Sequence, residues 1–300
     1  MKIPFFSIVI PVYNRSAIFE QRLTYLLQQE FTDYEVIIVD DGSTDHPEEK
    51  LKKFFAEYPF IRIISQVNSE RGAARNNGIR NSTGEYIVLF DSDDFMHKDH
   101  LEKLHRGIIK NNYPDFIATK FNFRNEEGKV YRSGLEKYNA GIYDYALFLE
   151  GNPVACNICF KKSLKDLKYF VEDRNFAIKE DWMFLISNMR NHKLVLLDDV
   201  TISMYDHADR SMKSDNRLIV QRTIKATEWI KDHVELKDAE LKKLYAHRNY
   251  FCGIHSYLDG ERIPAIRYAL KAIFKGGLKK NYLVLFVKSI LGRKLILKIK

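Results

Sequence analysis

The chain has 300 residues, 45% of them hydrophobic and 29% charged, a composition that suits a globular protein with one large core or a core domain plus an appendage. Three cysteines, Cys156, Cys159 and Cys252, argue against a disulfide framework and suit a reducing compartment, so a cytoplasmic setting is expected. The net charge of +8 is concentrated at one end: Arg262 to Lys300 hold eleven Lys or Arg and no acid, which leaves residues 1–261 with 37 basic and 40 acidic side chains. No stretch reaches the roughly eighteen apolar residues of a spanning helix.

In chain order, the start MKIPFFSIVIPVYN reads as a strand and not as a leader, because Pro4 and Pro11 interrupt the apolar run and no small-residue cleavage site follows. Val- and Ile-rich runs recur at 7–13, 35–41, 61–65 and 85–91, with helical spacing between them, as at Phe19, Leu23, Leu26 and Leu27 behind a Ser16 cap and again from Glu49 to Tyr58. This alternation predicts a mostly parallel Rossmann-like sheet flanked by helices, with ligands bound beyond the carboxyl ends of the strands. Further strands are expected at 115–123, 153–162 and 193–205, and helices at 178–189 and from Asn216 onward. A boundary near residue 212 separates this region from a helical, basic, amphipathic extension, in which Ile266, Ala269, Leu270, Ile273 and Phe274 share one face and Arg267, Lys271 and Lys275 the other.

Two strands end in acid, at VDDGSTD (39–45) and FDSDD (90–94). Crowding Asp91, Asp93 and Asp94 costs repulsion, so a positive partner is expected among them. Asp40, Asp41 and Asp45 also suit a turn with a helix cap. Arg71 and Arg75, one helical turn apart in RGAAR, share a face. Asp94 is expected to cap a helix starting near Lys98 or to orient Asp93. The pair Cys156 and Cys159 lacks the second pair a zinc site needs and reads as core packing.

Taken in order, SIVIPVYN, IIVDDGSTD, RGAARNNGI, FDSDD and KEDW resemble the family 2 glycosyltransferases over about residues 5–210. The resemblance implies the nucleotide-diphospho-sugar transferase fold and a catalytic domain over 1–212, with a donor-binding half (1–100), an acceptor-binding half (101–212), and the helical region at 213–300. It implies an inverting transfer of sugar from a nucleotide-diphospho-sugar, a UDP-sugar by family expectation, to a saccharide or lipid-linked acceptor in bacterial surface polysaccharide assembly. Donor contacts fall to Pro11, Tyr13, Asp40, Asp41, Arg71, Asp91, Ser92 and Arg210. Tyr13 would stack on the base and Asp41 accept from it. Asp93 and His207 are the implied ligands of Mg2+ or Mn2+, which would neutralise the leaving diphosphate. Asp181 is the implied general base, with Glu180 assisting or binding the acceptor. Arg210, Ser211 and Lys213 suit a flap.

The basic tail suits peripheral contact with anionic membrane through 262–300, on the inner face of the plasma membrane, and no nucleic-acid partner is expected beside so many acids. The weighed alternatives are a sugar-1-phosphate nucleotidyltransferase, a non-catalytic nucleotide- or nucleic-acid-binding protein, and an inactive scaffold. PVYNRS lacks the glycine-rich loop and reactive lysine of the first of these.

Overall fold

The computed structural model describes residues 3–207, 210 and 215–293. These divide into two compact units: 1–144, 153–174 and 191–207 in the first, and 145–152, 175–190 and 208–300 in the second.

The first unit is built on a mixed sheet with the order β3-β2-β1-β4-β9-β6-β10-β5. Strands β1 (Phe6–Val12), β2 (Tyr34–Asp40), β3 (Ile61–Ser65) and β4 (Tyr86–Leu89) are mutually parallel. Their apolar residues are buried almost throughout, as expected of strands covered on both faces. Helices α1 (Ser16–Leu26), α2 (Pro47–Glu57) and α3 (Glu70–Asn81) make the connections. After β3 the chain returns to set β4 on the other side of β1, so the order reverses at β1, where open sheets of this kind bind ligands. Helix α3 approaches the sheet closely because of Gly78, where a Cβ would meet Val9 Cγ1 at 2.3 Å.

Beyond β4 come the short β5 (Phe95–Met96), α4 (His100–Lys110), β6 (Phe116–Asn125), β7 (Val130–Arg132), β8 (Gly141–Tyr143), β9 (Ile158–Lys161) and the long β10 (Leu194–Asp206). Strand β9 runs antiparallel to both β4 and β6 and joins the parallel quartet to the parallel β6–β10 pair. Phe116 and Phe160, both fully buried, stack across this join at 5.5 Å. The expected strand at 153–162 shrinks to β9, and Cys156 lies before it; both Cys156 and Cys159 are nevertheless buried thiols of the core.

The second unit is helical: α5 (Glu180–Met189), α6 (Asn216–His233), α7 (Asp238–Leu258), α8 (Arg262–Gly276) and α9 (Lys280–Leu291). The expected face of α8 is only partly right. Its buried stripe is Ala265, Ala269 and Ala272, whereas Leu270 and Phe274 are exposed, Phe274 at 87%. Small residues let these helices approach closely, and a Cβ at Gly253 of α7 would meet Leu285 Cδ2 at 2.9 Å. Large apolar side chains are then left facing outward. No helix among the described residues is long and apolar enough to cross a membrane.

Candidate active site

At the carboxyl end of β1 the chain turns at Asn14, whose φ is +51°, and carries Tyr13 outward at 48% exposure. Pro11, half-buried, pairs in register with Val39 of β2. The loop is tied to the one after β2: the Asn14 amide donates to Ser43 Oγ (3.0 Å) and the Thr44 amide to Asn14 Oδ1 (2.8 Å). Asp45 closes the tie, accepting the Ser16 amide at 2.8 Å. The start of α1 is therefore served by an acid from the neighbouring loop; Ser16 is its first residue and not its cap.

Asp40 and Asp41 are both buried and do different work. Asp40 Oδ1 accepts the Ser43 amide, three residues on, at 3.0 Å and so holds the loop. Asp41 Oδ1 accepts from Gln66 Nε2 and from the Ser69 amide, each at 2.8 Å, which links the end of β2 to the approach of α3. Arg71 is half-buried in the first turn of α3. One turn on, Arg75 is 2% exposed, and its Nη2 lies 2.7 Å from Asp91 Oδ1 beside the Phe170 ring. The shared face of the two arginines thus points one buried guanidinium at the acid cluster.

The turn after β4 answers the crowding of its acids residue by residue. Asp91 takes Arg75. Ser92 is buried. Asp93 Oδ2 accepts from Arg15, and His207 Nε2 stands 3.1 Å from the same oxygen. Asp94 Oδ1 accepts the Tyr205 amide at 2.9 Å. Asp94 therefore does not cap a helix, since α4 starts only at His100; it fastens the turn to β10. Burial alone would push the Asp93 carboxyl up, but the hydrogen bond with His207 and the Arg15 charge hold it down at about 2.

Behind this acid an aromatic wall fixes the geometry. His207 stacks on Tyr205 at 5.1 Å, Tyr205 meets the edge of Phe95 at 6.0 Å, and the Arg22 guanidinium lies 3.7 Å over Phe95 while its Nε donates to the Asp93 carbonyl at 3.1 Å. Sequence reasoning passed over Arg15, Arg22 and Gln66 and gave Arg75 no site role. For Arg15 a signal existed, since it directly follows PVYN; Arg22 reads only as one more cation on an amphipathic helix.

A divalent cation can be judged against this donor set. Asp93 and His207 offer one carboxylate and one imidazole side by side, while phosphate and water oxygens would complete the coordination of a hard ion. Among the described residues no group of three or more His, Cys, Asp or Glu gathers as a full cage. The residues fit a cation shared with a phosphorylated ligand.

In the second unit, α5 begins with Glu180 and Asp181. Asp181 Oδ2 accepts from Asn152 Nδ2 at 2.9 Å and its Oδ1 takes the Trp182 amide at 2.7 Å, which orients the carboxylate from both sides. Trp182 is locked by its Nε1–H donating to the Phe148 carbonyl at 2.6 Å. Glu180 is buried, and Lys179 before it lies 3.9 Å over the Phe251 ring. Burial lowers the Lys179 ammonium to about 8, against the opposing pull of Asp181, Cys252 and Glu180. Arg210 is half-buried, and Ser211 and Lys213 lie outside the described residues.

The model of Glycosyl transferase family 2 matches residues 7–179. Chondroitin synthase from Escherichia coli is 43% identical over 142 residues, which is 47% of this chain and 20% of that protein. The chain spans only about a fifth of the length of several curated relatives. Among solved structures, Staphylococcus aureus TarS 1-349 in complex with UDP-GlcNAc superposes with a TM-score of 0.69 at 19% identity, covering 94% of this chain and 90% of that one. The mannosyltransferase PcManGT from Pyrobaculum calidifontis, in complex with GDP-Man and Mn2+, gives 0.62 at 14% identity, covering 99% and 87%. With a family model matching more than half of its length, the chain belongs to glycosyl transferase family 2.

Proposed function

We propose that this protein moves a sugar from a nucleotide-diphospho-sugar, a UDP-sugar in the first instance, to a hydroxyl of a saccharide or lipid-linked saccharide, with inversion at the anomeric carbon. The observation that carries the reading is the meeting of Asp93, His207 and Arg15 on one oxygen at the end of β4, beside the ion pair of buried Arg75 with half-buried Asp91. Support comes from the UDP-GlcNAc of TarS and the GDP-Man with Mn2+ of PcManGT, both on the same fold.

Tyr13, exposed at the rim, stacks on the base, and Asp41 accepts from it through the oxygen not committed to Gln66 and Ser69. Asp40 keeps the loop in shape. Pro11 and Ser92 line the donor, Asp91 lies near the ribose, and Arg71 and Arg210 meet the donor's negative charge. Asp93 and His207 would hold Mg2+ or Mn2+, which supplies neutralisation of the charge that builds on the diphosphate as the anomeric C–O bond breaks. Asp181 takes the proton of the acceptor hydroxyl as that oxygen forms its bond to the anomeric carbon. Asn152 and the Trp182 amide orient its carboxylate for that transfer, and Glu180 assists on the acceptor side. Asn152 is the positioning residue that sequence reasoning did not find. The exposed apolar and basic residues of 262–293 meet anionic membrane, in keeping with a lipid-linked acceptor and surface polysaccharide synthesis on the cytoplasmic side.

The test is nucleotide release from a panel of nucleotide sugars with Mn2+, alongside calorimetric donor binding. Asp93→Ala is expected to lose Mn2+-dependent donor binding, whereas Asp181→Asn keeps donor binding and loses turnover by about 10²-fold or more. Equal defects in both variants, or consumption of a nucleoside triphosphate with a sugar 1-phosphate, would overturn the assignment.

A further inference from the structure

Within the second unit, α7 and α9 line an open cavity of about 620 Å³, in the size range of small-molecule sites. Tyr250, Ile254 and Tyr257 of α7 and Val284 of α9 give it apolar walls, and Lys280 and Lys288 line it from α9. None of its lining residues is acidic. Neither lysine has an ion-pair partner among the described residues, in contrast to Lys279, whose ammonium is 2.5 Å from Glu150. Two exposed cations thus flank an apolar recess whose lining lacks packing partners on its open side.

The adjoining stripe of α9, at Leu283, Val287 and Ile290, is exposed and apolar. A helix apolar on nearly all sides but only 12 residues long is too short to span a bilayer and is suited to its interface. From Arg262 onward the sequence carries no acid at all. Charge and polarity together select an amphiphile that is anionic at one end and hydrocarbon at the other.

We propose that this cavity is a binding site for one anionic phospholipid, its hydrocarbon chain among Tyr250, Ile254 and Val284 and its phosphate held between Lys280 and Lys288. This deepens the membrane contact proposed above and rests on it. A surface that is merely basic attracts any anionic bilayer; a cavity retains a single lipid after the bilayer is gone.

The experiment uses the full chain with vesicles of phosphatidylcholine, with and without phosphatidylglycerol. Sedimentation reports membrane contact, and native mass spectrometry after detergent extraction reports retained lipid. Wild type is expected to sediment with the anionic vesicles and to retain one phosphatidylglycerol, in preference to phosphatidylcholine by about tenfold. Val284→Trp, which fills the cavity from a partly exposed position, should lose the retained lipid yet still sediment. Lys280→Gln with Lys288→Gln should lose the headgroup preference while nucleotide release is unchanged. Wild type that sediments but retains no lipid overturns this proposal and leaves the membrane contact standing; wild type that does neither overturns both. Retention unaltered by Val284→Trp overturns the cavity as the site. So does a dimer that Val284→Trp dissolves, which would identify the occupant as a second copy of the chain.

Discussion

The two units bury apolar surface alike in their centres and differently at α8. In the first, bulky β-branched and aromatic residues fill the core, with Ile8, Ile37, Phe116 and Phe160 wholly excluded from water. In the second, Ile186, Ile219 and Leu244 are as deeply buried, but α8 packs through Ala265, Ala269 and Ala272, and Phe274, Leu278 and Ile263 stay outside. The difference teaches that apolar residues in a sequence mark the core only where both faces of an element are covered. A helix can close on its neighbours through alanine and keep its large side chains for another partner.

The largest effect is expected from truncation in the sheet unit. Phe160→Ala removes a ring stacked on Phe116 and leaves a cavity where the two halves of the sheet join through β9. It should cost about 3–5 kcal/mol in urea unfolding. A cost under about 1 kcal/mol would show that the join is plastic and remove the contrast in packing with α8.

Next in size is a gain. Lys179 is 8% exposed and its ammonium is lowered to about 8 from 10.5, so the unfolded chain binds the proton more tightly than the folded one. Stability tied to this group therefore rises with pH between about 8 and 10.5, and the full penalty is present below 8. Lys179→Met, close in length and uncharged, should stabilise the protein at pH 7 by about 2–3 kcal/mol, less what is lost over the Phe251 ring, and by little near pH 11. A pH-independent gain would trace the effect to packing and not to charge.

Much of the first unit was legible because its period is short and its punctuation strong. Strands expected at 7–13, 35–41, 61–65 and 85–91 match β1 to β4 within two residues at each end, and the acids at their ends fall at the switch point the alternation implied. The strands β5, β7 and β8 were not legible, having two or three residues each, too few to show alternation. Nor were the counter-ions. That Arg15 and Arg75 serve Asp93 and Asp91 depends on which way α1 and α3 face, and that is set by packing such as Gly78 on Val9. Asn152 is far from Asp181 in sequence and has no motif of its own.

Each unit also holds a histidine that burial keeps neutral: His100, lowered to about 3 and bonded to Thr201 at 2.7 Å, and His255, lowered to about 4 and bonded to Asn216 at 2.7 Å. With folded values below the ordinary one near 6.5, protonation favours the unfolded chain. Stability is intact above about 6.5 and falls as pH drops toward 4 for His255 and toward 3 for His100, by up to about 1.4 kcal/mol per pH unit for each. Urea midpoints at pH 7 and pH 5 should differ accordingly, and His100→Gln should flatten the slope. A slope unchanged by that substitution would assign the acid sensitivity to carboxylates instead.

The smallest effect on stability separates the units most sharply. Phe274 and Val287 are exposed on α8 and α9, so Phe274→Glu with Val287→Glu removes no core contact and should move the urea midpoint by under about 0.5 kcal/mol. The same pair sets two carboxylates among cations and apolar side chains proposed to meet an anionic bilayer. Vesicle sedimentation should therefore be lost while nucleotide release from a soluble acceptor reaction persists, because neither residue belongs to the site at the end of β4. A destabilisation above about 2 kcal/mol would mean that these side chains are covered in the folded protein, and the outward apolar face of the second unit would then be part of its core after all.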